Sequence, residues 1–114
     1  MIESNRGNEA GSQRPVKVAF DRHEMSQILN VYGREVAAGE WRDYAIDLMR
    51  DMAVFSVFRR ASEAPLFRIE KIPALARKQG AFQVRAMDGR VLRRGHELAN
   101  VLKVFARGRM SVVD

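Results

Sequence analysis

The residues best suited to chemistry are arginines that recur, about one per predicted strand, in the second half of the chain. If alternate residues of each strand point into a core, the opposite face collects one ring and four guanidinium groups: Phe58, Arg60, Arg68, Arg85 and Arg93. Guanidinium groups hold phosphates in a bidentate manner, and exposed rings stack on bases. The pattern predicts a polyanion-binding sheet face. The alternative is that carboxylates such as Glu63 and Glu70 pair with these arginines.

The charge of the chain is strongly uneven. Residues 1–52 contain seven basic and nine acidic side chains, net −2, whereas residues 53–114 contain thirteen basic and five acidic ones, net +8. A basic half attracts acidic partners, of which nucleic acid is the commonest. The alternative is an arginine-rich surface that only keeps the protein soluble. No RNA-recognition-motif signature, GXXG loop or helix-turn-helix pattern accompanies the charge.

Metal and cofactor chemistry is not indicated by the residue types present. The sequence has no cysteine, which excludes disulfides, thiolate zinc sites and cysteine nucleophiles. His23 and His96 each precede a glutamate, as in the H-E-x-x-H zinc motif, but Gln27 and Asn100 stand where the second histidine belongs. We therefore predict no metal ion and no cofactor, and interpret both pairs as first-turn helix residues.

A series of carboxylates is the pattern closest to an acid–base site. Asp43, Asp47 and Asp51 are four residues apart and would share one face of a helix. Arg42 and Arg50 lie beside them and favour a solvated, ion-paired surface instead. With two histidines as possible bases and no glycine-rich phosphate loop, the sequence predicts no catalytic residue and no enzyme.

Two aromatic residues are candidates for contact with a protein partner. Tyr32, in the first predicted helix, and Trp41, just after it, could present an apolar patch, although side chains at such spacing often fill the core. Because no site chemistry accompanies a well-formed core, we predict a protein-interaction or regulatory module with an unidentified protein partner. The alternative function is nucleic-acid binding through the arginine-rich face.

Local signals place the first helix. Asp21 is suited to be its N-cap, and Glu24, three residues later, completes a capping box. One apolar face follows at helical spacing, formed by Met25, Ile28, Leu29, Tyr32 and Val36. Gly39 is a C-terminal stop, and Gly33 weakens the helix interior, where it favours a kink or break.

The remainder of the chain reads as a sheet built of hairpins. Residues 41–52 fit a helix or a strand, and we favour a strand followed by a turn at 50–51. Further strands are predicted in four segments: 53–60, 66–70, 82–87 and 90–93. Asp88-Gly89 predicts a type I′ turn, and Pro73 opens a short helical turn that Gly80 closes. A last helix follows Gly95 and ends at Gly108.

These elements predict a single small α+β domain. It consists of an N-terminal helix, a four- to five-stranded, mostly antiparallel sheet, and a C-terminal helix packed on one sheet face. We expect a disordered polar tail at 1–15, the domain at 16–107 and a short C-terminal tail at 108–114. No apolar run exceeds four residues and no signal peptide is visible, so we expect a cytoplasmic protein without membrane insertion. The sequence leaves the oligomeric state open.

Five segments of the sequence resemble a known family: Ile28–Arg34, Ala37–Asp47, Ala53–Glu63, Arg68–Lys71 and Arg94–Leu98. The family is the domain-of-unknown-function family 2794 of short alphaproteobacterial proteins. The resemblance covers about residues 16–105. It implies a bacterial cytosolic setting and a single-domain architecture, and it supplies no activity, cofactor or catalytic residue.

Overall fold

The computed structural model describes residues 16–60 and 63–106. Within them, helix α1 (Arg22–Ala37) precedes the sheet, a 3₁₀ turn (Pro73–Leu75) interrupts it, and helix α2 (Leu98–Val101) follows it. Residues 103–106 are also helical. The predicted tails at 1–15 and 108–114, and the predicted helix end at Gly108, lie outside the described residues.

Helix α1 begins and ends as its sequence signals predict. The Asp21 carboxylate accepts a hydrogen bond from the Glu24 backbone N–H, and the Glu24 carboxylate accepts one from the Asp21 N–H, each 2.8 Å long. The first of these bonds lowers the pKa of Asp21 below its ordinary value of 3.8. At the other end, Gly39 adopts φ 80°, and its N–H and that of Glu40 bond back to the carbonyls of Val36 and Glu35.

The buried side of α1 differs from the predicted one. Ile28, Val31 and Glu35 are its buried residues, whereas Leu29 and Val36, which belong to the predicted apolar face, are 39% and 40% exposed. The helix runs through Gly33 without a break. The apolar stripe is therefore wider than the contact with the sheet, and its outer part remains in contact with solvent.

Five antiparallel strands form one sheet in the order of the chain: β1 (Asp43–Leu48), β2 (Ala53–Phe58), β3 (Phe67–Lys71), β4 (Phe82–Ala86) and β5 (Val91–Gly95). The strand prediction for residues 41–52 is thereby confirmed. Each consecutive pair is a hairpin, so β1 and β5 form the two edges.

One face of the sheet, here called the helix face, carries the core. Phe55 and Val57 of β2, Ile69 of β3 and Val84 of β4 lie on it and are fully buried. Side chains of α1 and α2 join them in one hydrophobic cluster, which confirms the predicted packing of helices on a single sheet face. No helix in the described ranges has the length and apolar character needed to cross a bilayer.

The β4–β5 hairpin departs from the predicted turn. Gly89 N–H bonds to the Ala86 carbonyl and Ala86 N–H to the Arg90 carbonyl, with Gly89 at φ 90°. This pattern is a three-residue loop with a glycine bulge, and the predicted two-residue type I′ turn is wrong. A second irregularity follows, because Arg85 is opposite Val91 while Val84 is opposite Arg93.

Candidate functional site

The structure brings only part of the predicted arginine set together. Arg68 is directly opposite Arg85 in the β3–β4 pair, and Phe58 shares their side of the sheet, here called the far face. Arg60 lies beyond the end of β2. The far-face prediction for Arg93 is wrong, because the irregular β4–β5 pairing places it opposite the core residue Val84, on the helix face.

A buried carboxylate lies among the far-face arginines. Glu70 is 4% exposed, and both of its carboxylate oxygens lie 3.3 Å from the Nε of Arg85. Gln83, itself 2% exposed, donates to the same carboxylate at 2.6 Å, and the Nε of Arg68 lies 3.8 Å away. The carboxylate therefore offsets one of the two positive charges of its neighbouring arginines, so the pairing that the sequence left open as an alternative is present at Glu70.

Arg94, which alternation did not select, completes this arrangement. Its Nε donates to the Gln83 amide oxygen at 3.0 Å, and its guanidinium also bonds to Gln79. We call Arg68, Glu70, Gln83, Arg85 and Arg94 the Glu70 cluster. Three guanidinium groups against one carboxylate leave the cluster a net charge of +2, and Arg85 and Arg94 each donate from two nitrogens to protein acceptors.

The two predicted protein-contact residues have different positions. Trp41 is 4% exposed and packs edge-on against Phe105, so its prediction as a surface contact is wrong. Tyr32 is half-buried, donates from its hydroxyl to the Arg42 carbonyl at 2.6 Å, and packs edge-on against Tyr44. Burial, with Asp43 nearby, raises the pKa of the Tyr32 hydroxyl above its ordinary value of 10.0.

Three exposed apolar side chains lie on edge strand β1, whose Tyr44 contacts Tyr32. Tyr44, Ile46 and Leu48 are 45%, 40% and 41% exposed and share the helix face of the sheet with the core residues opposite them. Alternation indicates correctly that they share one face. It does not show that this face extends past the helix that covers the rest of the sheet.

Two exposed α1 side chains on the same flank as Tyr32 add to the apolar area. Leu29 and Val36 flank Tyr32 on the helix surface at i−3 and i+4. The opposite flank of α1, with Gln27, Asn30 and Arg34, lines a cavity of about 270 Å³ against the C-terminal helical residues. Leu29 and Val36 lie on the other flank, which also carries Tyr32, the residue whose ring contacts Tyr44 of β1. We call Leu29, Val36, Tyr44, Ile46 and Leu48 the β1 surface.

The backbone of β1 offers hydrogen-bonding groups along the same edge. Met49 N–H bonds to the Met52 carbonyl, so the backbone N–H of residue 49 points toward the β2 side. The N–H of Leu66 bonds to the Val57 carbonyl, so the carbonyl of residue 57 points away from β1, toward β3. Backbone groups alternate in direction along a strand, so Asp43, Ala45 and Asp47 point toward β2. The N–H and C=O groups of Tyr44, Ile46 and Leu48 consequently point outward, where the sheet order places no further strand of the described chain.

The sequence comparisons identify a family. Residues 18–102 match the family described as "Protein of unknown function (DUF2794)". The chain belongs to this family. The DUF2794 match contains α1, all five strands and α2. No curated protein and no solved structure matches the chain.

The DUF2794 segment also includes the histidines considered as metal ligands. His23 and His96 are both exposed, and within residues 16–60 and 63–106 no three metal-ligating side chains come together. Asp43 and Asp47 lie on one face of a strand and not on a helix. The first candidate site in this DUF2794 protein is the β1 surface, which combines exposed apolar side chains with outward backbone groups. The Glu70 cluster is the second candidate.

Proposed function

We propose that this protein is a bacterial cytoplasmic interaction or regulatory module, without catalytic activity, that binds a protein partner through the β1 surface. The observation that carries the proposal is the coincidence of two features on one edge. Tyr44, Ile46 and Leu48 present exposed apolar side chains and outward backbone groups at the same positions. An edge of this kind is suited to adding a strand from a partner, with main-chain bonds supplying affinity and side chains specificity.

The contrast between the two sheet edges supports this proposal. Edge strands are normally protected by charges, bulges or covering elements. Strand β5 is bulged, carries Arg93 and Arg94, and contacts α2. Strand β1 has a regular six-residue pairing with β2 and no charge on its helix face. If a partner covers the apolar area of Ile46 that is now in contact with water, this burial stabilises the complex by about 1 kcal/mol.

An affinity experiment in the cell of origin tests this function. The tagged protein is compared with Ile46→Lys and with the matched variant Met87→Lys, which changes a 61% exposed methionine in the β4–β5 loop. We expect a protein to co-purify stoichiometrically, after nuclease treatment, with the unchanged chain and with Met87→Lys but not with Ile46→Lys. If both lysine variants retain the same proteins, the β1 surface is not the binding site.

Nucleic-acid binding is the second candidate, favoured by the convergence of Arg68, Arg85 and Arg94 on the far face. The same contacts weigh against it, since Arg68 and Arg85 share the single negative charge of Glu70, and Gln79 and Gln83 accept from Arg94. Loss of all co-purifying protein on nuclease treatment would favour this candidate over the β1 surface.

A further inference from the structure

We infer that the partner of the β1 surface is a second copy of this chain, paired antiparallel through β1 about a twofold axis at Ile46. This inference rests on the proposed function, because it names the occupant of the same surface. A twofold interface requires one patch that is complementary to itself. The directions of the backbone groups, the charges on the far face and the apolar positions each bear on that requirement.

Backbone direction restricts the pairing to few registers. Only residues with outward N–H and C=O groups can form hydrogen-bonded pairs with a neighbouring strand, and in β1 these are Tyr44, Ile46 and Leu48. Symmetric antiparallel pairing with more than one such pair has its axis at residue 45, 46 or 47. The axis at Ile46 uses all three residues, while the other two use only two each.

Charge selects the same register. With the axis at residue 45, Asp43 would be directly opposite Asp47 of the second copy, and with the axis at 47, Asp47 would be opposite itself. Like charges directly opposite each other in a sheet are destabilising. With the axis at Ile46, Asp47 is opposite Ala45 within the strand, and no two carboxylates are directly opposite.

The apolar positions match in this register as well. Ile46 packs on its own symmetry mate, and Tyr44 is opposite Leu48 in both directions. Three hydrogen-bonded pairs form, each exchanging two backbone bonds. Opposite residues share a face, so the two sheets join into one and both α1 helices lie on the same side. Leu29 and Val36 of each copy then flank the seam.

Disulfide cross-linking tests the register directly, because the chain has no native cysteine. The variants Ile46→Cys, Ala45→Cys and Asp47→Cys each report one axis, and all three positions are exposed. A hydrogen-bonded pair has a Cα–Cα distance of about 5.5 Å, within disulfide range, whereas residues 45 or 47 of two copies would be about 7–8 Å apart. We expect Ile46→Cys to cross-link at least ~10-fold faster under a glutathione redox buffer.

Sedimentation velocity of the unchanged chain supplies the non-covalent measurement. We expect a species of twice the 13.0 kDa chain mass, lost in Ile46→Lys and kept in Met87→Lys. Circular dichroism verifies that each variant is folded. Because Ile46 is exposed, we expect the lysine variant to fold, with its aliphatic stem on the apolar surface and its charge in water. A monomer at every concentration, or equal cross-linking of the three cysteine variants, would overturn this inference. If Ile46→Lys then still abolishes capture of a different protein, the proposed function stands while the dimer does not.

Discussion

At the scale of single residues, Glu70 organises the far face of the sheet. Its carboxylate is almost inaccessible to water, yet it lies between Arg68 and Arg85 and accepts from Gln83. A buried carboxylate is stable only when such donors compensate for its lost hydration. The arginines are therefore part of the folded structure first, and their availability to a ligand is limited by the same bonds.

Removal of the carboxylate charge is expected to destabilise the protein. In Glu70→Gln, Arg85 loses its charged partner. Because the Arg85 side chain is 29% exposed, water replaces part of the lost interaction, and we expect the free energy of unfolding to fall by about 2 kcal/mol. Urea denaturation measures this change. Glu97→Gln is the matched control, since Glu97 is exposed and forms no side-chain cap bond, and it should change stability by under about 0.5 kcal/mol. Equal effects would contradict a structural role for the Glu70 cluster.

At the scale of secondary-structure elements, close backbone packing joins the 3₁₀ segment to β5. Gly80 ends the turn that begins at Pro73, with φ 102°, and its buried Cα lies against the backbone of Gly95. A Cβ at this position would overlap Gly95 and lie 2.6 Å from His96 N. The connection between β3 and β4 thus requires glycine for both its conformation and its space.

Two glycine substitutions should have opposite effects on stability. Gly80→Ala combines a strained φ with overlap of backbone atoms, so we expect a loss of at least about 2 kcal/mol. Gly33→Ala in α1 meets nothing within 4 Å and should stabilise the helix by about 0.5–1 kcal/mol. Thermal and urea unfolding of both variants measure the difference. A neutral Gly80→Ala would show that the β3–β4 connection relaxes freely.

At the scale of the whole molecule, the four arginines predicted to share one sheet face do not all lie on it. Arg93 lies on the helix face, Arg60 lies outside the sheet, and the Glu70 cluster retains a net charge of +2. Three exposed apolar side chains, by contrast, share one edge strand, and nothing in the described chain covers them fully. This distribution is the reason that a protein partner is preferred over nucleic acid.

The salt dependence of nucleic-acid binding is expected to be shallow. With about two uncompensated charges on the far face, the logarithm of the affinity for a mixed-sequence duplex should fall with a slope of about −2 against the logarithm of salt concentration. Arg68→Gln should reduce that slope by about one, while Arg59→Gln, at an exposed pair with Glu40, should not change it. Fluorescence anisotropy across a salt series measures the slopes. A slope steeper than about −4 would favour the arginine face as the functional interface.

The secondary-structure elements that depend on residues close together in the chain were predicted correctly from the sequence. Asp21 and Glu24 cap each other across three residues, Gly39 ends the helix, and alternation predicts the strands of four successive hairpins. Alternation failed at Arg93, because a β-bulge inserts one residue and changes which side the following residues face. No residue pattern in the sequence analysis predicted that bulge.

The sequence by itself determined where the helix begins, which segments from residue 53 onward are extended and which residues of a regular strand share a side. These properties depend on contacts between residues a few positions apart. Only the tertiary structure decided that Trp41 is buried, that Ile46 is exposed on an edge strand, and that Glu70 lies between two arginines. Those facts depend on strand order, pairing register and the extent of helix cover, which are set by contacts between distant segments that no local spacing encodes.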